Sequence, residues 1–201
     1  MIEIKSDFKD YIDVFLEENS KRNLISHNDE KFLYEKHIYD SLCIKLFFDK
    51  YGINCTSLLD IGCGGGFPCV PIAMEYPNLR VTGIDSIKKK IDSVENIKNK
   101  LGLCNLNLIC DRVENLKNSE FDIVVSRAVA NLLKVSQYAL PILQSGGYFI
   151  AYKSKKADEE IANVQDCLKQ YNSKIVDVIE YALPTEEHYE RKLICIKKVK
   201  G

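Results

Sequence analysis

Residues 58–68 combine a short apolar run with a dense cluster of glycines. Their sequence is LLDIGCGGGFP, and they include four of the ten glycines in the chain. A short apolar run bounded by glycines predicts a buried strand. The glycines that follow it let backbone N–H groups approach a ligand closely, because no Cβ intervenes. The pattern predicts a nucleotide-type cofactor site at the carboxyl end of a parallel strand.

The glycine spacing separates two classes of cofactor. In the dinucleotide pattern G-x-G-x-x-G the third glycine lies three positions after the second, and counted from Gly62 and Gly64 that position is Phe67. The stretch instead contains Asp-x-Gly-x-Gly-x-Gly, from Asp60 to Gly66. An acidic residue here suits a cationic ligand better than a pyrophosphate, which favours S-adenosylmethionine (SAM). A turn that merely tightens a strand–helix connection is the alternative.

Polar residues after the next two predicted strands extend this cofactor site. Asp85 ends the second strand, nineteen residues after Gly66, where nucleotide-binding folds place an acidic residue that accepts hydrogen bonds from ribose hydroxyls. Capping the following helix is a second role open to Asp85. Val113 and Glu114 follow the third strand and are candidates for contact with the adenine edge.

Three further residues are candidates for catalysis or substrate binding. Arg127 ends the fourth strand, and its planar fork suits a carboxylate or a guanine edge; capping a helix or pairing with Asp122 are the alternatives. Lys153 directly follows the fifth strand and is a candidate for a phosphate contact. His37 shares a predicted helix with Asp40, although a lone helical histidine is more often structural than catalytic.

Composition limits the remaining possibilities. The chain has 201 residues and a formal net charge of -1, so any nucleic-acid contact must come from local patches. Its eight cysteines include no C-x-x-C pair, which argues against a zinc site and favours a reduced, intracellular protein. No apolar segment is typical of a signal or a membrane span. We therefore expect a cytoplasmic protein with no metal and no membrane contact.

Strand and helix patterns alternate after an N-terminal helical section. Helices are predicted at about 6–18 and 30–49, and also at 88–101, 132–143 and 157–171, with another from after Pro68 to Glu75. Strands are predicted at 57–61, 80–84, 106–110, 121–125, 148–152, 174–180 and 192–198. Such alternation predicts a doubly wound, mainly parallel Rossmann-like sheet, with an antiparallel addition at one edge. We expect a single domain over 1–201, with a helical extension (1–55) and a Rossmann-like core (56–201).

Several segments together resemble the RsmG/GidB family, bacterial 16S ribosomal RNA guanine-N7 methyltransferases. The resemblance covers nearly the whole chain, and its most specific segments are His-Ile-x-Asp-Ser-Leu at 37–42 and Ser-Arg-Ala at 126–128. The other shared segments are Asn23-Leu24, 59–68 with Pro71, 81–86 with Lys89 and Lys90, 112–114, Phe121-Asp122, and Gly146-Gly147 leading to Lys153.

The resemblance implies a class I methyltransferase that moves a methyl group from SAM to guanine N7 in 16S rRNA and releases S-adenosylhomocysteine (SAH). It also implies a monomer that acts on 16S rRNA or the small ribosomal subunit. The family's cofactor contacts correspond to Gly62, Phe67, Val113, Glu114 and Arg127. The chain departs from the family pattern at Cys63, Cys69 and Ser154, and it lacks the tryptophan often seen before the Asn-Leu segment.

Other functions remain open on the sequence alone. A SAM-dependent methyltransferase of a small molecule or a protein would share the fold and the cofactor site. A non-catalytic cofactor-binding protein associated with the ribosome would share both without turnover. A dehydrogenase would require that NAD, and not SAM, stabilises the folded protein.

Overall fold

A seven-stranded sheet forms the centre of the part of the chain that the structure describes. The structure is a computed structural model that describes residues 2–52, 55–116, 120–155, 157–187 and 189–199. The strands are β1 (Ser57–Ile61), β2 (Arg80–Asp85), β3 (Leu106–Cys110), β4 (Phe121–Arg127), β5 (Leu143–Ser154), β6 (Ser173–Ala182) and β7 (Glu190–Lys198). Their order across the sheet is β3-β2-β1-β4-β5-β7-β6.

The sheet is parallel from β3 to β5 and antiparallel at its other edge. Strands β1 to β5 pair in parallel, whereas β7 runs antiparallel to both of its neighbours, β5 and β6. The connection from β6 to β7 is too short for the crossover that a parallel pair requires, so the two strands pair in opposite directions. The mainly parallel Rossmann-like sheet with an antiparallel addition at one edge is confirmed.

Helices cover the sheet, and the strands divide their side chains between two apolar cores. They are α1 (Lys9–Arg22), α2 (His27–Glu30), α3 (Asp40–Leu42), α4 (Ile44–Tyr51), α5 (Cys69–Glu75), α6 (Lys88–Leu101), α7 (Leu132–Ala139), α8 (Asp158–Asn163) and α9 (Gln165–Gln170). Along β1, Leu58 packs in the core that holds Phe15 of α1, whereas Leu59 packs in the core that holds Leu132 of α7. This alternation follows the two-residue period of a strand. None of the helices described is long and apolar enough to cross a bilayer.

Four predicted helices differ from those observed. The helix expected at 6–18 begins and ends later in the chain, at Lys9–Arg22. The helix expected at 30–49 is divided into α2, a π-helical segment (Leu33–Tyr39), α3 and α4, because apolar spacing does not distinguish a wide helical turn from a regular one. The helix expected at 132–143 ends at Ala139, since Pro141 cannot continue it. The helix expected at 157–171 is interrupted at Val164, between α8 and α9.

Asp122 ties β4 to the start of β1. Its Oδ2 accepts hydrogen bonds from the backbone N–H of Thr56 (2.7 Å), the Thr56 hydroxyl (2.9 Å) and the backbone N–H of Ser57 (2.9 Å). The amide of Gln144 donates to its Oδ1. One carboxylate therefore fixes the point at which the central strand enters the sheet.

We expect Asp122→Ala to lower the free energy of unfolding by about 2–3 kcal/mol, because it leaves several donors without their charged acceptor. Asp92→Ala is the matched control. Within the described part of the chain, the Asp92 carboxylate forms a single exposed ion pair, with Lys88 at 2.9 Å, and such a pair is worth about 0.3–0.5 kcal/mol. Urea denaturation measures both values. Equal losses in the two variants would contradict the role given to Asp122.

Candidate active site

The glycine loop after β1 takes a backbone path that other residues would strain. Gly62 has φ +70° and Gly66 has φ +95°, values that are left-handed and favour glycine. A Cβ on Gly62 would lie 2.4 Å from Val129 Cγ2, and one on Gly66 would lie 2.7 Å from Val70 Cγ2. The loop thus packs against the segment after β4 on one side and against α5 on the other.

Asp60 is buried behind this loop and lines neither of the two cavities described below. Its side chain is 0% exposed, and its Oδ2 accepts the backbone N–H of Cys69 (3.1 Å), the first residue of α5. Its Oδ1 has no hydrogen-bond partner among the described residues. Burial raises the pKa of this carboxyl to about 7. In this structure Asp60 positions α5 through the Cys69 N–H, and its contact with the cofactor stays a prediction.

The two unusual cysteines of the loop are accommodated by a glycine on β2. Cys63 and Cys69 are both buried, and each sulfur would lie 3.1 Å from a Cβ on Gly83. Since Gly83 has no side chain, the two sulfurs fit without displacing the loop.

Two adjoining cavities open at the carboxyl ends of the parallel strands. The larger has a volume of about 630 Å³ and the smaller about 380 Å³. Gly62, Lys90 and Ala128 line both. A crevice at this edge of an open α/β sheet is where such folds bind their ligands. Ala128, at the boundary, has φ +56°, which costs a residue with a side chain about 1–2 kcal/mol.

Four of the predicted cofactor residues meet in the smaller cavity. Gly62, Asp85, Val113 and Glu114 all line it, as does Asp111. Asp85 accepts the backbone N–H of Gly64 on Oδ2 (3.0 Å) and the backbone N–H of Ile87 on Oδ1 (2.8 Å), so it fixes the loop and also caps the turn before α6. The carboxylates in this wall suit hydroxyl and amine donors and disfavour a pyrophosphate.

Arg127 lines the larger cavity. Its guanidinium donates to Asp40 Oδ2, to the Lys36 carbonyl and to His37 Nδ1, each at 3.1 Å. It also lies 5.2 Å from the centre of the Phe67 ring. The alternative in which Arg127 pairs with Asp122 is wrong.

His37 is an uncharged acceptor in this arrangement, and its Nε2 has no hydrogen-bond partner among the described residues. Arginine has no acceptor, so His37 Nδ1 must accept and Nε2 must hold the proton. Burial, followed by the positive charge of Arg127, lowers the pKa of the imidazole to about 4. The ring centre lies 5.0 Å from that of Phe67. At neutral pH, His37 orients Arg127 and carries no charge of its own.

Lys153 lines the larger cavity but is held by the loop after β4. Its Nζ donates to the Ala130 carbonyl and to Glu160 Oε2, both at 2.7 Å, and Glu160 also accepts the backbone N–H of Leu132. Lys153 and Glu160 therefore clamp the segment that separates the two cavities. Sequence reasoning missed Glu160, since its position on an ordinary acidic helix start gave no signal.

The walls of the two cavities carry opposite charge. The larger has the cations Lys36, Lys90, Arg127, Lys153 and Arg191 against the carboxylates Asp29 and Asp40. The smaller has the carboxylates Asp85, Asp111 and Glu114 against Lys90 and Arg112. A polyanion is attracted to the first cavity, and a neutral or cationic ligand fits the second.

Comparison with known families identifies relatives of this chain. The model of the GidB family, described as rRNA small subunit methyltransferase G, matches residues 4–189. The chain belongs to the GidB family. It is 37% identical to ribosomal RNA small subunit methyltransferase G of Lactobacillus acidophilus, covering 98% of this chain and 83% of that protein. The protein of the same name from Staphylococcus saprophyticus is 36% identical over 96% of this chain and 82% of its own length. The GidB resemblance noted in the sequence is confirmed.

Solved structures of methyltransferases share the fold. The ribosomal protein L11 methylase of Lactobacillus delbrueckii superposes with a TM-score of 0.60 at 14% identity, over 80% of this chain and 79% of its own. Coclaurine N-methyltransferase, solved with N-methylheliamine and SAH, gives a TM-score of 0.55 at 13% identity, over 71% of this chain and 50% of its own. At such identities the likeness extends to the fold alone.

The raised pKa of Asp60 predicts a pH-dependent stability. In the unfolded chain the carboxyl loses its proton near its ordinary pKa of 3.8, whereas in the folded protein it keeps the proton until about pH 7. The folded state binds more protons between these values, so this group lowers the free energy of unfolding as the pH rises from about 4 to 7, by roughly 4 kcal/mol at most.

Asp60→Asn removes this titration and keeps an acceptor for the Cys69 N–H. We measure the free energy of unfolding of the variant and of the natural protein by urea denaturation without cofactor. We expect the variant's value minus the natural protein's value to be larger at pH 8 than at pH 5. A stability difference that is the same at both pH values would show that Asp60 is already ionised in the folded protein.

Proposed function

We propose that this GidB-family protein transfers a methyl group from SAM to N7 of a guanine in 16S rRNA. The pair of adjoining cavities of opposite charge carries the proposal. The smaller suits a nucleoside without phosphates, the larger suits a nucleic acid, and the two meet at Gly62 and Ala128. The names of the GidB relatives supply the rRNA.

The residues of the smaller cavity fit the adenosine part of SAM. Asp85 would accept from the ribose hydroxyls with the lone pairs that Gly64 and Ile87 leave free. Val113 and Glu114 would contact the adenine edge, and Gly62 would allow close approach of the backbone. When bound, SAM supplies an electrophilic methyl group on a sulfonium. Arg127 and Phe67, which line the larger cavity, would border the methionine end.

The chain's own residues need not move a proton for this reaction. Guanine N7 has a lone pair and no hydrogen, so attack on the methyl group requires no general base. This agrees with a site in which His37 Nδ1 is occupied by Arg127 and Lys153 is paired with Glu160. The work left for these residues is to align the acceptor and to exclude water.

The ion pair with Asp40 makes Arg127 compatible with the positive charge of the sulfonium and of the methylated guanine. Methylation at N7 leaves the guanine positively charged, and an isolated guanidinium beside it would oppose the reaction. Asp40 offsets that charge at 3.1 Å, and Asp40 is itself fixed by the hydroxyl of Tyr181 at 2.6 Å. Arg127 can then donate hydrogen bonds to the carboxylate of the cofactor or to the guanine without adding net charge.

The RNA partner would enter from the cationic side. Arg127 is the proposed base contact, and Lys153 the proposed phosphate contact whenever it leaves Glu160. An unpaired base in a loop exposes its N7 edge, which suits direct entry into the larger cavity of the proposed single domain over 1–201. We propose that 16S rRNA or the small ribosomal subunit is the substrate and that the protein acts as a monomer.

The test is methylation of small-subunit RNA that lacks the modification. Purified protein and labelled SAM are incubated with naked RNA and with assembled subunits, and the modified guanine is mapped by chemical cleavage at N7-methylguanine. Incorporation that maps to one guanine supports the proposal. No incorporation into either substrate contradicts it, and methylation of a small molecule or protein without RNA would favour those substrates.

Arg127→Lys tests the fork geometry. We expect at least a tenfold lower kcat/KM for methyl transfer, because one ammonium cannot replace the three contacts of the guanidinium. Arg22→Lys is the matched control, since the Arg22 guanidinium is exposed and, among the residues that the structure describes, donates only to the Lys89 carbonyl, at 3.2 Å. Full activity of Arg127→Lys would show that charge alone suffices at this position.

A further inference from the structure

A cluster of an aromatic ring and two cations lies at the rim of the larger cavity and has no part in the chemistry above. Tyr189 lines the cavity and is half-buried. Lys36 Nζ lies 4.8 Å from the centre of the Tyr189 ring and 4.4 Å from that of Phe32. Arg191 Cζ lies 5.8 Å from the same Tyr189 ring, and Arg191 also lines the cavity.

The protein holds Tyr189 in place at two points. The Tyr189 carbonyl accepts the backbone N–H of Leu183 (3.0 Å), which closes the connection between β6 and β7. Its hydroxyl donates to Glu187. The backbone and the hydroxyl of Tyr189 are thus both held by hydrogen bonds. The side chain keeps its orientation before a ligand arrives, and this lowers the entropic cost of binding.

Tyr189 is connected to the centre of the site through one residue. The side chain of Lys36 lies over the Tyr189 ring, while the carbonyl of the same residue accepts Arg127 Nη1 at 3.1 Å. The π-helical segment that contains Lys36 thus joins the rim to Arg127. A group stacked on Tyr189 would lie at the mouth of the cavity in which Arg127 is the central donor.

The chemistry of this cluster matches a nucleobase with its flanking phosphates. Bases stack on tyrosine rings and on guanidinium planes, and phosphates pair with lysine and arginine. Arg191 forms no salt bridge within the described residues, which leaves its charge available. Tyr189 packs against the apolar cluster of Tyr39, Cys43 and Leu183. It is half-exposed, and it has Lys36 and Arg191 beside its ring.

We propose that Tyr189 is the platform on which an unpaired RNA base stacks as it enters the larger cavity, with Lys36 and Arg191 holding the adjacent phosphates. The proposal rests on the proposed function and names the RNA-binding site of the same cavity. Tyr189 selects for an unstacked base without reading its identity, because every base has an aromatic face.

The absence of tryptophan from the chain allows a direct binding test. Tyr189→Trp introduces a single tryptophan at the platform, and its fluorescence can be excited apart from that of the tyrosines. The probe is an RNA hairpin whose loop carries one guanine between abasic sites, and the matched hairpin has a fully abasic loop. We expect the guanine hairpin to quench the fluorescence and the abasic hairpin to leave it nearly unchanged. Equal quenching by both would show electrostatic attraction alone and would overturn the proposal.

Tyr34→Trp is the control for this test. Tyr34 is 38% exposed on the same π-helical segment and lines neither cavity, so the guanine hairpin should not quench it. Quenching of both variants alike would mean that RNA coats this face without using the platform, and this also overturns the proposal.

The kinetic test separates the platform from the reaction. Tyr189→Ala should raise the KM for RNA about 5- to 150-fold, the range expected for loss of one stacked base, and leave SAM affinity unchanged. Tyr189→Phe keeps the ring and should recover most of the loss, and Tyr34→Ala should behave as the natural protein. An unchanged KM in Tyr189→Ala overturns the platform alone, whereas a natural protein that methylates no RNA overturns the proposed function.

Discussion

The ion pair between Arg127 and Asp40 holds together parts of the chain that are far apart in sequence. Both side chains are largely buried, with exposures of 15% and 5%. Arg127 ends β4, Asp40 follows the π-helical segment, and Tyr181 of β6 donates to the same carboxylate. Removing one partner of a buried pair costs about 3–5 kcal/mol, because the other charge is left without compensation. The pair therefore fixes the N-terminal helices against the sheet at the point where the cavity opens.

Phe67 makes the glycine loop part of the same unit. Its ring centre lies 5.1 Å from that of Phe15 on α1 and 5.0 Å from that of His37, and the Arg127 guanidinium lies 5.2 Å away. A third glycine here would remove the ring against which Tyr11 and Phe15 of α1 pack. The residue that breaks the dinucleotide fingerprint thus connects the cofactor loop to the N-terminal helices, and the loop cannot move without disturbing Arg127.

The sequence predicted those features that depend on local periodicity. Strand and helix alternation, and the glycine spacing after β1, identified the sheet and the edge that carries the site. It did not predict the partners of Arg127, since Asp40 lies 87 residues away and nothing in either local pattern joins them. Nor did it predict that Asp60 accepts the Cys69 N–H, since a strand-end carboxylate can face a ligand or the next helix, and only packing decides between the two. Tyr189 lies in a connection without periodicity, so its place in the cavity wall required the fold.

The ionisable groups at the centre of the site are either paired with an opposite charge or kept uncharged by burial. Asp40 offsets Arg127, burial keeps His37 uncharged with a pKa of about 4, and burial raises the pKa of Asp60 to about 7. The net charge around Phe67 is therefore small. At the rim, Lys36 pairs with Asp29 at 3.5 Å, whereas Arg191 forms no salt bridge within the described residues. In the proposed reaction a positive charge moves from sulfur to guanine and its total does not change. Such a reaction gains little from a proton shuttle and much from a centre of fixed, balanced dipoles. The cations at the rim can then attract RNA without opposing the cation that is transferred.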